Sequence, residues 1–203
     1  MPMPLSQEHV SGAKLFANRY EMIRSLSDCK IKSIAEMGVA YGDFSEFMIR
    51  TLNPRLFAGY DIFVYHTIDD VWGSDPQERL QGLTHIEYYK NRMTEAFGND
   101  LKLLAYEGDA AENLLKYERT FDLIYIDANH KLANVKEDTT AAIAKLSPGG
   151  LLGFNDYILY DHLGKQRYGV VDVVNNLCVN EGWRITHFAL QEQMFCDVIL
   201  QKR

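Results

Sequence analysis

The sequence predicts a single α/β domain over residues 1–203, a mostly parallel sheet with helices on both faces, and three observations carry that expectation. Short apolar runs alternate with segments whose apolar residues recur at helical spacing, the mark of strand-helix units. Polar residues close those runs in turn: Glu36, Asp61, Asp109, Asp127 and the pair Asn155-Asp156. A chain of 203 residues with 47% apolar content suffices for one sizeable core.

Within the first 30 residues, Val10, Ala13, Leu15, Phe16, Tyr20, Ile23 and Leu26 predict an amphipathic helix from Gln7 to Leu26. Ile31, Ile34 and Ala35 then form a strand ending at Glu36, and Phe44, Phe47, Met48 and Thr51 return to helical spacing. Strand becomes helix across Glu36-Met37-Gly38-Val39-Ala40-Tyr41-Gly42. Gly38 permits a positive φ in the tight turn, and Gly42 admits close approach of backbone or ligand.

Asn53-Pro54 breaks the chain, and Leu56 to Tyr60 makes a second strand ending at Asp61. An acid about 20 residues past a glycine turn, at the next strand's carboxyl end, is where dinucleotide folds bind ribose hydroxyls. Residues 62–100 are long for a connection and hold Tyr65, His66 and Trp72, then an expected helix from Pro76 to Phe97. A third strand runs from Leu101 to Tyr106. Asp109 with Glu112 three residues on reads as a capping box opening the next helix. FDLIYI, Phe121 to Ile126, is apolar throughout, as suits a parallel strand covered on both faces.

After Asp127-Ala128-Asn129-His130 a helix carries Leu132, Val135, Thr139, Ala142, Ile143 and Leu146, and Ser147-Pro148-Gly149-Gly150 is expected to stop it. Leu151 to Phe154 is the fifth strand. A turn-rich loop, Asp161 to Gly169, precedes a helix with Val170, Val173, Val174 and Leu177. Strands near Trp183–Phe188 and Phe195–Gln201, joined by a short loop, predict an antiparallel hairpin at the sheet edge.

The net charge of −7 and pI near 5.4, with no basic stripe, exclude a nucleic-acid backbone as the main partner and favour a small molecule. The first residues lack an apolar signal region, and no stretch reaches the roughly 18 apolar residues of a membrane span, so a cytoplasmic protein is expected. Cys29, Cys178 and Cys196 are too far apart for a zinc motif and read as reduced thiols. A homo-oligomer is left open.

The E-x-G-x-x-x-G loop, the strand-end acids, IDANH and SPGGLLGFNDY together resemble the class I S-adenosylmethionine (SAM)-dependent methyltransferases over residues 30–203. The loop is neither a G-x-G-x-x-G dinucleotide motif nor a P-loop. The resemblance implies a Rossmann-like seven-stranded sheet whose last strand runs backwards. It also implies SAM bound by Glu36, Gly38, Tyr41 and Gly42 at the loop, Asp61 and Ile62 at the ribose, Gly108, Asp109 and Ala110 at the adenine, and Asp127. Segments 62–100 and 157–169 would cover a small-molecule acceptor.

Within the superfamily, IDANH and NDY most resemble small-molecule O-methyltransferases related to catechol and sugar O-methyltransferases. Acids or amides at those places hold magnesium, which would fall here to Asp127, Asn155 and Asp156, all hard oxygen donors. The catechol enzymes read Asp-Asn and the sugar enzymes Asp-Asp where this chain reads Asn155-Asp156. Asp127 and His130 are the expected catalytic residues, His130 serving as base because its pKa lies near working pH. A metal-independent N-methyltransferase and a non-catalytic module keeping the same fold are the alternatives.

Overall fold

The computed structural model describes residues 1–98 and 101–203; residues 99 and 100, the end of the expected acceptor-covering segment, lie outside the described residues. The strands are β1 (Lys14–Phe16), β2 (Ser33–Met37), β3 (Leu56–Asp61), β4 (Lys102–Glu107), β5 (Phe121–Ile126), β6 (Leu146–Phe154), β7 (Tyr160–Asp161), β8 (Gln166–Arg167), β9 (Trp183–Ala189) and β10 (Asp197–Lys202). The helices are α1 (Arg19–Arg24), α2 (Asp43–Leu52), α3 (Pro76–Leu80), α4 (His85–Phe97), α5 (Ala110–Lys116), α6 (Leu132–Lys145) and α7 (Val170–Asn180).

Eight strands form one sheet in the order β1-β9-β10-β6-β5-β2-β3-β4. β10 runs antiparallel to both β6 and β9, and the other neighbouring pairs are parallel. Strand residues alternate between two cores, as the period of two requires. Ile34, Phe57, Leu123 and Tyr125 pack with α1, α2 and α4, whereas Ala35, Ala58, Ile124 and Leu152 pack with α5, α6 and α7.

The backward last strand and the two-faced sheet agree with expectation. Four local readings need correction. The helix expected over Gln7–Leu26 is a short 3₁₀ turn, then β1, then α1. Gly12 turns the chain at φ 79°, β1 finds backbone partners on β9, and Asn18 restarts the helix by accepting from Glu21 N at 3.0 Å. The helix expected from Pro76 to Phe97 divides at Gln81-Gly82, both at positive φ. Thr84 and Glu87 then open α4 with a capping box.

Ser147-Pro148-Gly149-Gly150 stops α6 but belongs to β6, where two residues of β5 span five of β6 as a bulge. The hairpin β9–β10 is interior, because β1 adds an eighth strand outside it.

Chain order moves outward through β2, β3 and β4, then resumes at β5 on the other side of β2. The crevice beyond the carboxyl ends of β2 and β5 is therefore the switch point of the sheet, the place where open α/β folds bind ligands.

Candidate active site

Gly38 sits at that switch point with φ 86°, and any Cβ there would collide with the Asp127 carbonyl oxygen. Gly42, at φ 84°, has Met93 Cε and the Tyr89 ring within 3.0 Å of where a Cβ would stand. Both glycines are thus required by contact as well as by φ. Asp61 braces the loop between them: Oδ2 accepts from Val39 N at 2.8 Å and Ala40 N at 3.2 Å, and Oδ1 accepts from Phe63 N at 2.8 Å. Two braces had no legible motif. His85 Nε2 lies 2.7 Å from Ala40 O, and Arg92 Nη1 donates to Tyr41 O at 3.0 Å.

Glu36 does not face the crevice. It is 1% exposed beneath the loop, where it accepts from Ser45 Oγ, and burial raises its pKa well above the ordinary carboxyl value. The alternation of β2 turns this side chain into the core. Tyr41 is likewise buried, its ring packed on Tyr65 and beneath the Arg79 guanidinium.

On the β3–β4 side, Gly108 N donates to Asp61 O at 2.9 Å, which joins the two strand ends. Asp109 is exposed and caps α5 by accepting from Glu112 N at 2.8 Å. Glu112 pairs with Lys116, leaving the expected capping box half made. Ile62 is 58% exposed beside them, and Ala110 is half-buried.

On the β5–β6 side, Asp127 meets a residue that no motif announced. Arg19, the first residue of α1, places Nη1 3.1 Å from Asp127 Oδ2 and lies 4.2 Å over the Phe44 ring. Burial raises Asp127 to about 6 even though Arg19 pulls the other way. Behind this pair Asp197, fully buried, accepts from Tyr125 Oη, from Asn155 Nδ2 and Gln191 Nε2 at 3.1 Å each, and from Asp156 N at 3.4 Å. An acid inside the apolar run FCDVIL was the available signal for Asp197.

His130 stacks on Tyr168 with ring centroids 4.5 Å apart, and its Nε2 stands 3.6 Å from Asp156 Oδ2. That nitrogen is buried without a hydrogen-bond partner among the described residues. Burial lowers His130 to about 4 against the opposing influence of Asn155 and Asp161. It raises Asp156 to about 8, with Asp127 and Asp197 adding to the rise.

Magnesium on Asp127, Asn155 and Asp156 is not supported by this arrangement: Asp127 Oδ2 already accepts from Arg19, and Asp156 Oδ2 faces His130. Among the described residues, no group of three His, Cys, Asp or Glu could hold a metal ion.

A glycine loop at the switch point, acids on its two flanks and a reversed last strand define the class I methyltransferase fold. The chain belongs to the methyltransferase domain family, whose model matches residues 35–157. No curated protein sequence matches it significantly.

Among solved structures it is similar to the O-methyltransferase TomG of Streptomyces achromogenes, involved in tomaymycin synthesis and bound to SAM. The identity is 17%, with 91% of this chain and 79% of that one covered at a TM-score of 0.63. A Bacillus cereus O-methyltransferase bound to S-adenosylhomocysteine (SAH) matches at 13% identity, 91% and 80% coverage and a TM-score of 0.64. The N-methyltransferase NodS of Bradyrhizobium japonicum, also with SAH, matches at 15% identity, 91% and 85% coverage and 0.59. No helix among the described residues is long and apolar enough to cross a membrane.

Proposed function

We propose that this chain transfers a methyl group from SAM to a hydroxyl of a small-molecule acceptor without a divalent metal. The observation that carries the reading is the switch-point crevice, where Gly38 lies between Asp61 on one side and Asp127 on the other. The nucleoside suits the β3–β4 side. A carboxylate offers about four lone-pair sites, so Asp61 keeps capacity for a ribose hydroxyl beyond its three backbone donors. Ile62 offers apolar surface to a base, and Asp109 an exposed acceptor.

The acceptor suits the space above β5 and β6, beneath the segments 62–98 and 157–169. Trp72, beside Tyr41 and Tyr65, is 77% exposed and Tyr160 on β7 is 55% exposed, aromatic surface that a bound ring or chain would cover. Bound SAM supplies a methyl on a sulfonium, and as the acceptor oxygen bonds that carbon the carbon–sulfur bond breaks with its electron pair returning to sulfur. The acceptor proton passes to His130 Nε2 once acceptor binding uncovers that nitrogen, which is otherwise buried beside Asp156 Oδ2. Burial lowers His130 to about 4, so the expected reason for its choice as base, a pKa near working pH, does not hold, and alignment of oxygen, methyl and sulfur has to carry most of the rate.

Calorimetry tests the reading: SAH should bind, and NAD and ATP should not. His130→Ala should lower turnover on the order of 100-fold with SAH affinity unchanged. Absence of SAM and SAH binding by the intact protein would overturn the proposal. Methylation confined to amines in an acceptor panel would replace the hydroxyl with a nitrogen.

A further inference from the structure

The ion pair between Arg19 and Asp127 is incomplete in a way that a structural pair is not. Arg19 carries five N–H donors in a rigid fork, which ordinarily grips a carboxylate with two parallel bonds. Here a single bond forms, Nη1 to Asp127 Oδ2 at 3.1 Å. Among the described residues no side chain or carbonyl accepts from Nε or Nη2, and no donor reaches Asp127 Oδ1. The two side chains keep 22% and 24% of their surface open, so the unused atoms are reachable.

The guanidinium is nevertheless held in place. It lies 4.2 Å over Phe44, the second residue of α2, and the Arg19 backbone N donates to Gln191 Oε1 at 3.3 Å. Gln191 adopts φ 56°, uncommon for a residue with a side chain, while its amide nitrogen bonds Asp197. Met22 and Ile23 bury the rest of α1.

The remaining charges define what would fit. Glu36 is 1% exposed beneath the loop and Asp197 is fully buried and accepts from four donors, so neither is open to a ligand. What is left open is one carboxylate oxygen beside one edge of a guanidinium, against Gly38 on the side of the loop away from Asp61. An anion and a cation on one short ligand would complete both at once.

On the reading that the crevice takes SAM, we propose that Arg19 and Asp127 together hold the amino-acid end of the donor. The Arg19 fork takes the α-carboxylate, and Asp127 Oδ1 takes the α-ammonium. Arg19 is thereby a cofactor-positioning residue contributed by the N-terminal segment, outside the span matched by the family model.

The test compares two ligands with the same adenosine and sulfur: SAH, which has the amino-acid tail, and 5′-methylthioadenosine, which lacks it. In calorimetry the intact protein should prefer SAH. Arg19→Met should weaken SAH by roughly 10- to 100-fold and leave methylthioadenosine unchanged, and Arg19→Lys should fall between. Equal weakening of both ligands, or no weakening of either, overturns the tail assignment. If Arg19→Met fails to melt cooperatively, Arg19→Lys decides by the same ratio: selective loss of SAH upholds the assignment and an unchanged ratio overturns it. Failure of the intact protein to bind either ligand is a different result, and it removes the cofactor reading itself.

Discussion

Asp61 has two tasks, and a pair of substitutions separates them. Its carboxylate gathers three backbone N–H groups that would otherwise be left without an acceptor. Asp61→Ala should cost about 1 to 3 kcal/mol of stability in thermal or denaturant unfolding, besides weakening SAH. Asp61→Asn keeps one acceptor oxygen and should recover part of the stability. Asp138, 7% exposed on α6, gives a pH signature. Burial, reinforced by Asp109 and Glu137, raises it to about 7. An acid raised on folding leaves stability whole below its unfolded pKa of about 4 and diminishes it as pH climbs to the folded value. Stability should therefore decline between about pH 4 and pH 7 in the wild type. Asp138→Asn should flatten that part of the profile and melt higher than wild type at pH 8, and an unchanged profile would remove Asp138 as its source. At this scale the strand-end residues Asp61, Asp109 and Asp127 were legible because parallel strands must end in the crevice. Glu36 was legible as the end of its strand, but not its burial beneath the loop, which strand alternation decides. Arg19 had no signature, since a lone arginine in an amphipathic stretch resembles any solvated one.

Among elements, the longest departures from the sequence reading lie at the N-terminus and in the segment expected to cover an acceptor. The break at Gln81-Gly82 divides the expected long helix into α3 and α4; α4 buries Tyr89 and Met93 against the sheet, while α3 is held through Leu80 and the Arg79–Asp43 ion pair. The loop after β6 carries the two-residue hairpin β7–β8 and places Tyr168 on His130. Both segments should be slower in hydrogen exchange once SAH and an acceptor are bound, and equal protection with and without ligands would count against a covering role. β1 escaped notice because three residues cannot display a period, and their pairing partner lies at the far end of the chain. The SPGG bulge escaped for the opposite reason. Proline and two glycines look like a terminus, yet β6 uses them to change register against β5 without leaving the sheet.

For the whole molecule, the counter-charge inside the crevice comes from an arginine, and this bears on the reaction's needs. Turnover should persist when a strong chelator is added, and added magnesium should not raise it; activity abolished by chelation and restored by magnesium would return Asp127, Asn155 and Asp156 to a ligand role. The sheet, its two faces and its reversed last strand were readable because apolar runs and helical spacing dictate them. The gathering of residues behind Asp127 was not, because tertiary contact rather than pattern assembles it. That assembly also has an order in time. β1 pairs with β9, and Arg19 N meets Gln191 across 172 residues of sequence. Contacts so far apart bear the largest loop-closure penalty and form late. As the chain leaves the ribosome, α1 can pack on α2 once both have emerged, but β1 has no partner until the final hairpin does. The Arg19 backbone thus gains its Gln191 anchor among the last events of folding, and a nascent chain without β9 and β10 holds the glycine loop but lacks that anchor.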